Sequence, residues 1–188
     1  MRTAIFGGTF DPIHSAHLIV AREAADAFSL DRVLFIPSGN PPLKEARASF
    51  DDRFRMTELA CAGDPRFLAS RIEEGAQKSY SIHTIERVKA ENGEVFFIIG
   101  ADAFAEIQSW HRWQDVVRAV AFIVVTRPGH QYTTPPGARV HRLETVALPV
   151  SSSEIRNALA RGENPPELPP TVLAYIRARR LYGAASYA

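Results

Sequence analysis

Cysteine is almost missing from this chain: Cys61 stands alone among 188 residues. One thiol forms no intrachain disulfide and finds no second sulfur for a cysteine-based metal site, which fits a reducing compartment. His14 and His17 could offer two ligands to zinc, but no motif supplies a third. An excess of either charge is missing too. The 22 Lys and Arg residues against 21 Asp and Glu leave a net charge of +1, which argues against broad nucleic-acid binding. No apolar run is long: the longest, 119–125, is far short of a bilayer span. No charged leader with an apolar core precedes the first predicted strand, so a cytoplasmic protein without a membrane segment is expected. Internal repeats and low-complexity tracts are absent. Neither the Gly-x-x-x-x-Gly-Lys phosphate loop nor the dinucleotide Gly-x-Gly-x-x-Gly occurs.

What remains is an ordinary globular composition, 46% apolar and 23% charged. The chain suits one domain with a substantial core, expected over 1–183, followed by a frayed tail at 184–188. Strand-like segments at 2–6, 33–36, 67–72, 95–99 and 122–125 alternate with helix-like ones at 16–28, 51–62 and 81–91. A short strand at 139–143 and two helices, 151–161 and 171–180, follow. The runs 95–99 and 122–125 are uniformly apolar, as in strands covered on both faces of a parallel sheet. The expected fold is α/β: a single Rossmann-like, doubly wound parallel sheet with a small C-terminal helical portion. Ligands in such sheets lie at the carboxyl ends of the strands.

The most informative stretch is Gly7-Gly8-Thr9-Phe10-Asp11-Pro12-Ile13-His14-Ser15-Ala16-His17. A strand runs into a glycine turn and then a helix start, where backbone N–H groups and the helix dipole suit phosphate. His14 and His17, three apart, share a helical face and can address one anion. At 151–156, Ser-Ser-Ser-Glu-Ile-Arg reads as a capping box, Ser151 as N-cap and Glu154 at the third helical position. A capped helix start with further hydroxyls and Arg156 one turn in is also a polyphosphate clamp, and the two readings are compatible. The loop Asn40-Pro41-Pro42-Leu43-Lys44 carries a lysine that could be merely solvated or could act as a point charge for phosphate. Asp102 after Ile99-Gly100, and Ser81 at the head of 81–91, each read as plain helix caps on local grounds. Trp110 sits in a more polar setting than Trp113.

Together these motifs resemble the nucleotidylyltransferase superfamily and, within it, the bacterial nicotinate-mononucleotide adenylyltransferases. The resemblance runs from Arg2 to about Tyr182. Ala16 and Leu43 depart from it, standing where the family has Gly and His. It implies transfer of the adenylyl group of ATP to nicotinate mononucleotide, giving nicotinate adenine dinucleotide and pyrophosphate in NAD biosynthesis. His14, His17, Lys44 and Arg156 are implied to be catalytic. Gly7, Gly8, Thr9, Phe10, His14, His17, Gly100, Asp102, Ser151, Ser152 and Arg156 are implied to bind ATP. Ser81, Ile82, Thr84, Trp110 and Arg127 are implied for the mononucleotide, the first two through amides meeting the pyridine carboxylate and Trp110 by stacking. Mg²⁺ would be held by substrate phosphates rather than by a protein cage. The alternatives are another phosphate acceptor, phosphopantetheine or nicotinamide mononucleotide, or a nucleotide-binding module without catalysis. A homo-oligomer stays open.

Overall fold

The computed structural model describes residues 1–40, 45–146 and 150–186. Among these residues six strands form: β1 (Arg2–Gly8), β2 (Arg32–Pro37), β3 (Phe67–Ala69), β4 (Glu94–Gly100), β5 (Ala121–Thr126) and β6 (Arg139–Glu144). All pair in parallel, in the order β3-β2-β1-β4-β5-β6. The helices are α1 (Ser15–Ala27), α2 (Phe50–Cys61), α3 (Ser81–Glu91), α4 (Ala101–Ala105), α5 (Trp113–Ala119), α6 (Ser152–Ala160) and α7 (Pro170–Arg179).

Successive side chains of a strand point to opposite faces, so a uniformly apolar run feeds two cores. Phe96 and Ile98 join Ala4, Phe35 and Ile123 under α1, α2, α6 and α7. Val95, Phe97 and Ile99 join Ile5, Phe122 and Val124 under α3, α4 and α5. The expected doubly wound fold is what forms. None of the helices among the described residues is long and apolar enough to cross a membrane.

Three local expectations change. The strand expected over 67–72 ends at Ala69, because tight turns follow: the Glu74 amide bonds to the Arg71 carbonyl and that of Ala76 to Glu73. The short helices α4 and α5 were not expected; neither is long enough to display helical periodicity. The tail expected to fray from 184 is held further on. Ala184 is buried, and the Ala185 carbonyl accepts a hydrogen bond from Arg177 (2.9 Å).

The chain winds outward from β1 to β3, then returns to lay β4 on the other side of β1. This reversal opens a crevice at the carboxyl ends of β1 and β4. The β1–β4 ladder ends at Ile5 and Phe97, although β1 runs on to Gly8 and β4 to Gly100. A Cβ added to Gly7 or Gly100 would meet nothing within 4 Å, so both strand ends border open space.

Candidate active site

The β1 side of the crevice is built around the turn 9–12. Phe10 holds a left-handed backbone (φ +50°), which lets its ring fold back over Gly8. A Cβ on Gly8 would lie 2.9 Å from that ring, so glycine is required there. The Phe10 ring packs among Phe6, Phe35 and His17, at centroid distances of 5.9, 5.9 and 5.1 Å. Its side chain therefore belongs to the core, a correction to its expected place among the nucleotide contacts; only its backbone borders the turn.

His14 is the N-cap of α1 and His17 lies one turn in. Their rings approach to 3.8 Å between centroids, tilted by 32°. The His17 Nδ1 accepts a hydrogen bond from the His14 amide (3.2 Å), which leaves its proton on Nε2 in the neutral ring. Burial holds the His14 pKa down to about 4. Burial, and then the neighbouring His14, take that of His17 to about 3. Both imidazoles are neutral at pH 7 and offer hydrogen bonds rather than charge. The His14 Nδ1 is buried and has no hydrogen-bond partner among the described residues.

From the other end of the chain, α6 docks on the same turn. Ser152 Oγ donates to the Pro12 carbonyl (3.0 Å). Arg156 spreads its two terminal nitrogens between the Asp11 carbonyl (2.8 Å) and Ser153 Oγ (3.0 Å). Ser151 forms the expected capping box, its Oγ accepting from the Glu154 amide (3.2 Å) while Glu154 Oε2 accepts from the Ser151 amide (3.2 Å) and hydroxyl (2.9 Å). The Ser151 and Ser152 hydroxyls, expected to meet phosphate, are thus engaged within the protein; they build the helix start and tie it to the turn. The Ser152 and Arg156 bonds bring the start of α6 to the residues that lead into α1.

Sequence reasoning missed the residues that hold this turn. Arg53 on α2 is 2% exposed, and its guanidinium donates to the carbonyls of Thr9 (2.8 Å), Ser38 (2.9 Å) and Ala48 (3.3 Å). Asp11 is 4% exposed, and its carboxylate accepts from the amides of Arg47 (2.6 Å) and Ala48 (3.1 Å) and from the Tyr182 hydroxyl (2.6 Å). An arginine on a half-apolar helix carries no local sign of burial. Asp11 and Tyr182 lie in segments whose likeness to the family was visible, but nothing local joins them.

On the β4 side, Gly100 caps α4, and Asp102 is exposed in its first turn. Trp110 is half-buried and stands edge-on to Phe97 at 6.0 Å. Ser81 and Ile82 open α3, where their amides have no intrahelical acceptor, whereas the His83 amide turns back to the Tyr80 carbonyl (3.1 Å). Tyr80 stacks on His111 (4.4 Å, 27°), which ties the α3 start to the Trp110 segment. Thr84 is corrected: it is 6% exposed and its hydroxyl donates to Glu73 Oε1 (2.5 Å), so it is not offered to a ligand. Arg127 is exposed beyond the end of β5. Lys44 lies outside the described residues.

This fold matches a known class. The family model for cytidylyltransferase-like proteins matches residues 5–158. A probable nicotinate-nucleotide adenylyltransferase of Solibacter usitatus is 57% identical, over 97% of this chain and 100% of its own length. One of Salinispora arenicola is 43% identical over 94% of this chain and 98% of its own. The chain belongs to the nicotinate-nucleotide adenylyltransferase family. Among solved structures, Plasmodium falciparum nicotinic acid mononucleotide adenylyltransferase complexed with NaAD superposes with a TM-score of 0.77 at 19% identity, covering 96% of this chain and 97% of that one. The same enzyme complexed with APC gives 0.78 at 19%, covering 96% of each chain. At that identity the likeness establishes the fold.

Proposed function

We propose that this chain joins ATP to nicotinate mononucleotide, forming nicotinate adenine dinucleotide and pyrophosphate in NAD biosynthesis. The observation that carries the reading is the meeting of two helix N-termini, two neutral imidazoles and Arg156 on one turn at the switch point of the sheet. Membership of the family supports the choice of substrates.

The phosphate oxygen of the mononucleotide attacks the α-phosphorus of ATP. The bond to the bridging oxygen of the β-phosphate breaks, and pyrophosphate leaves with the electron pair. The attacking phosphate is ionised near neutral pH, so no general base is needed, and catalysis rests on position and charge stabilisation. His17 donates from Nε2 to the triphosphate, and the buried His14 ring gains a partner there. Arg156 and Lys44 balance charge on the departing pyrophosphate. Gly7 and Gly100 leave room for the nucleotide, and Thr9 and Asp102 border it. On the other side, the Ser81 and Ile82 amides receive the pyridine carboxylate, Trp110 offers its ring for stacking, and Arg127 faces the mononucleotide.

Among the described residues, no three His, Cys, Asp or Glu side chains gather as metal ligands. The Asp11 carboxylate is already taken up by three donors. Mg²⁺ would be carried on the triphosphate and water, where it would supply positive charge to stabilise the leaving group. The domain is proposed to span 1–183 and to work in the cytoplasm.

Release of pyrophosphate from ATP, measured with nicotinate mononucleotide, nicotinamide mononucleotide and phosphopantetheine in turn, tests the reading. Turnover with the first is expected. Turnover with phosphopantetheine alone, or none with any acceptor, would overturn it.

A further inference from the structure

The turn 9–12 is unusual in how completely it is held. Thr9 is gripped through its carbonyl by Arg53, Asp11 through its carbonyl by Arg156 and Pro12 through its carbonyl by Ser152. Phe10, between them, occupies a left-handed conformation that a bulky L-residue seldom adopts. Such a backbone persists where its surroundings over-determine it. A further restraint comes from the end of the chain. After α7, Arg180 (φ +53°) and Tyr182 (φ +58°) are both left-handed, and this double reversal turns the Tyr182 side chain inward. Its hydroxyl reaches Asp11 Oδ1 at 2.6 Å across 171 residues of sequence. The other contacts of the Asp11 carboxylate are backbone amides of residues 47 and 48, which begin the approach to α2. Asp11 is therefore a junction at which the C-terminus and the approach to α2 both meet the turn that leads into His14.

We propose that Tyr182 is a positioning residue of the adenylyl-transfer site, acting through the Asp11 carboxylate to hold the turn that presents His14 and Arg156 to ATP. The proposal rests on the functional reading above. Tyr182 touches no substrate; it acts on the ATP side of the crevice and leaves the pyridine side alone. Removing its hydroxyl takes from the buried Asp11 Oδ1 the shorter of its two hydrogen bonds and leaves it only the Ala48 amide at 3.1 Å, and the turn shifts.

The test is steady-state kinetics of the full chain carrying Tyr182→Phe, beside Val172→Ala. Val172 is a fully buried apolar residue of α7 and takes no part in the hydrogen bonds to the Asp11 carboxylate, so its truncation loosens the same region while leaving those bonds in place. Tyr182→Phe is expected to raise the KM for ATP about tenfold, the scale of one hydrogen bond to a charged group, with the KM for the mononucleotide unchanged. Val172→Ala, assayed below its unfolding transition, is expected to keep the wild-type KM for ATP. A wild-type KM for ATP in Tyr182→Phe, or an equal rise in both variants, overturns the proposal. If Tyr182→Phe does not fold, Asp11→Asn takes its place. It keeps the side chain's shape but puts a donor where an acceptor stood, and the same selective rise in the ATP KM is expected; an unchanged value overturns the proposal. A wild-type chain without adenylyl transfer overturns the functional reading, and this one with it. An active wild type with an unaltered Tyr182→Phe overturns this one alone.

Discussion

The two sides of the crevice are built on different physical terms. On the β1 side, polar groups are buried and joined over long stretches of chain: Arg53 to Thr9, Arg156 to Asp11, Tyr182 to Asp11. On the β4 side, Asp102, His111 and Arg127 are exposed, Trp110 is half-buried, and the links from α3 to the Trp110 segment are a ring stack between Tyr80 and His111 and an exposed ion pair between Glu86 and Arg112 (3.2 Å). Buried hydrogen bonds are directional and costly to leave unmade, so they define one geometry. Ring contacts at a surface restrain less. The side assigned to ATP is organised before its ligand arrives, and the side assigned to the pyridine ring can adjust to it.

The largest expected effect strikes the organised side. His17→Ala should lower kcat about 10²-fold or more, as for loss of one donor aimed at developing charge. A circular dichroism spectrum like that of the wild type would show that the fold survives. Near-wild-type turnover at saturating substrates would remove His17 from the chemistry and weaken the contrast between the two sides.

Next comes the fork of Arg156. Arg156→Ala should raise the KM for ATP and depress kcat, each by about tenfold, the scale of a hydrogen bond to a charged group. Arg156→Lys should recover only part of the loss, because a single ammonium cannot span the Asp11 carbonyl and Ser153 Oγ together. Full recovery would mean that charge alone matters there.

The adaptable side should reveal itself in discrimination. Amides at the start of α3 favour a carboxylate and oppose the NH₂ of a carboxamide. The kcat/KM for nicotinate mononucleotide should exceed that for the nicotinamide form by at least about tenfold. Trp110→Ala should lower both while largely preserving their ratio, since the π-face is common to the two rings. Equal efficiencies with the two mononucleotides would remove carboxylate recognition from α3 and leave adenylyl transfer standing.

The last effect is read not in turnover but in stability against acid. His14 and His17 titrate near 6.5 when unfolded but at about 4 and about 3 when folded, so the unfolded chain binds more protons between these values. Stability without ligand should be fully present above pH 6.5 and fall as the pH drops towards 4. His14→Gln should flatten that fall, measured as the denaturation midpoint against pH. An unchanged slope would show that the two histidines are not held neutral in solution as they are here.

The double winding, the crevice at the ends of β1 and β4 and the two helix starts were legible because each is written locally. Strand runs such as 95–99, the Gly7-Gly8 break and the Ser151–Glu154 spacing report the backbone around them. The Ser151 case also shows the limit. Its capping box was visible, but that the Ser152 hydroxyl is directed at Pro12 rather than outward was not. Thr84 likewise read as a free hydroxyl until Glu73, from a turn outside its helix, took it.

By itself, then, the sequence determined the order and type of the main elements, the glycines at the strand ends and the imidazole pair at the start of α1, because periodicity and turn chemistry act over a few residues. Only the tertiary structure decided that Arg53 is buried, that the Arg156 fork closes on Asp11, and that the end of the chain returns to the turn near its beginning through Tyr182. Those contacts join residues from 44 to 171 positions apart, and their existence depends on how two layers of helices pack against one twisted sheet. A buried arginine and a solvated one look alike in a sequence; only packing tells them apart.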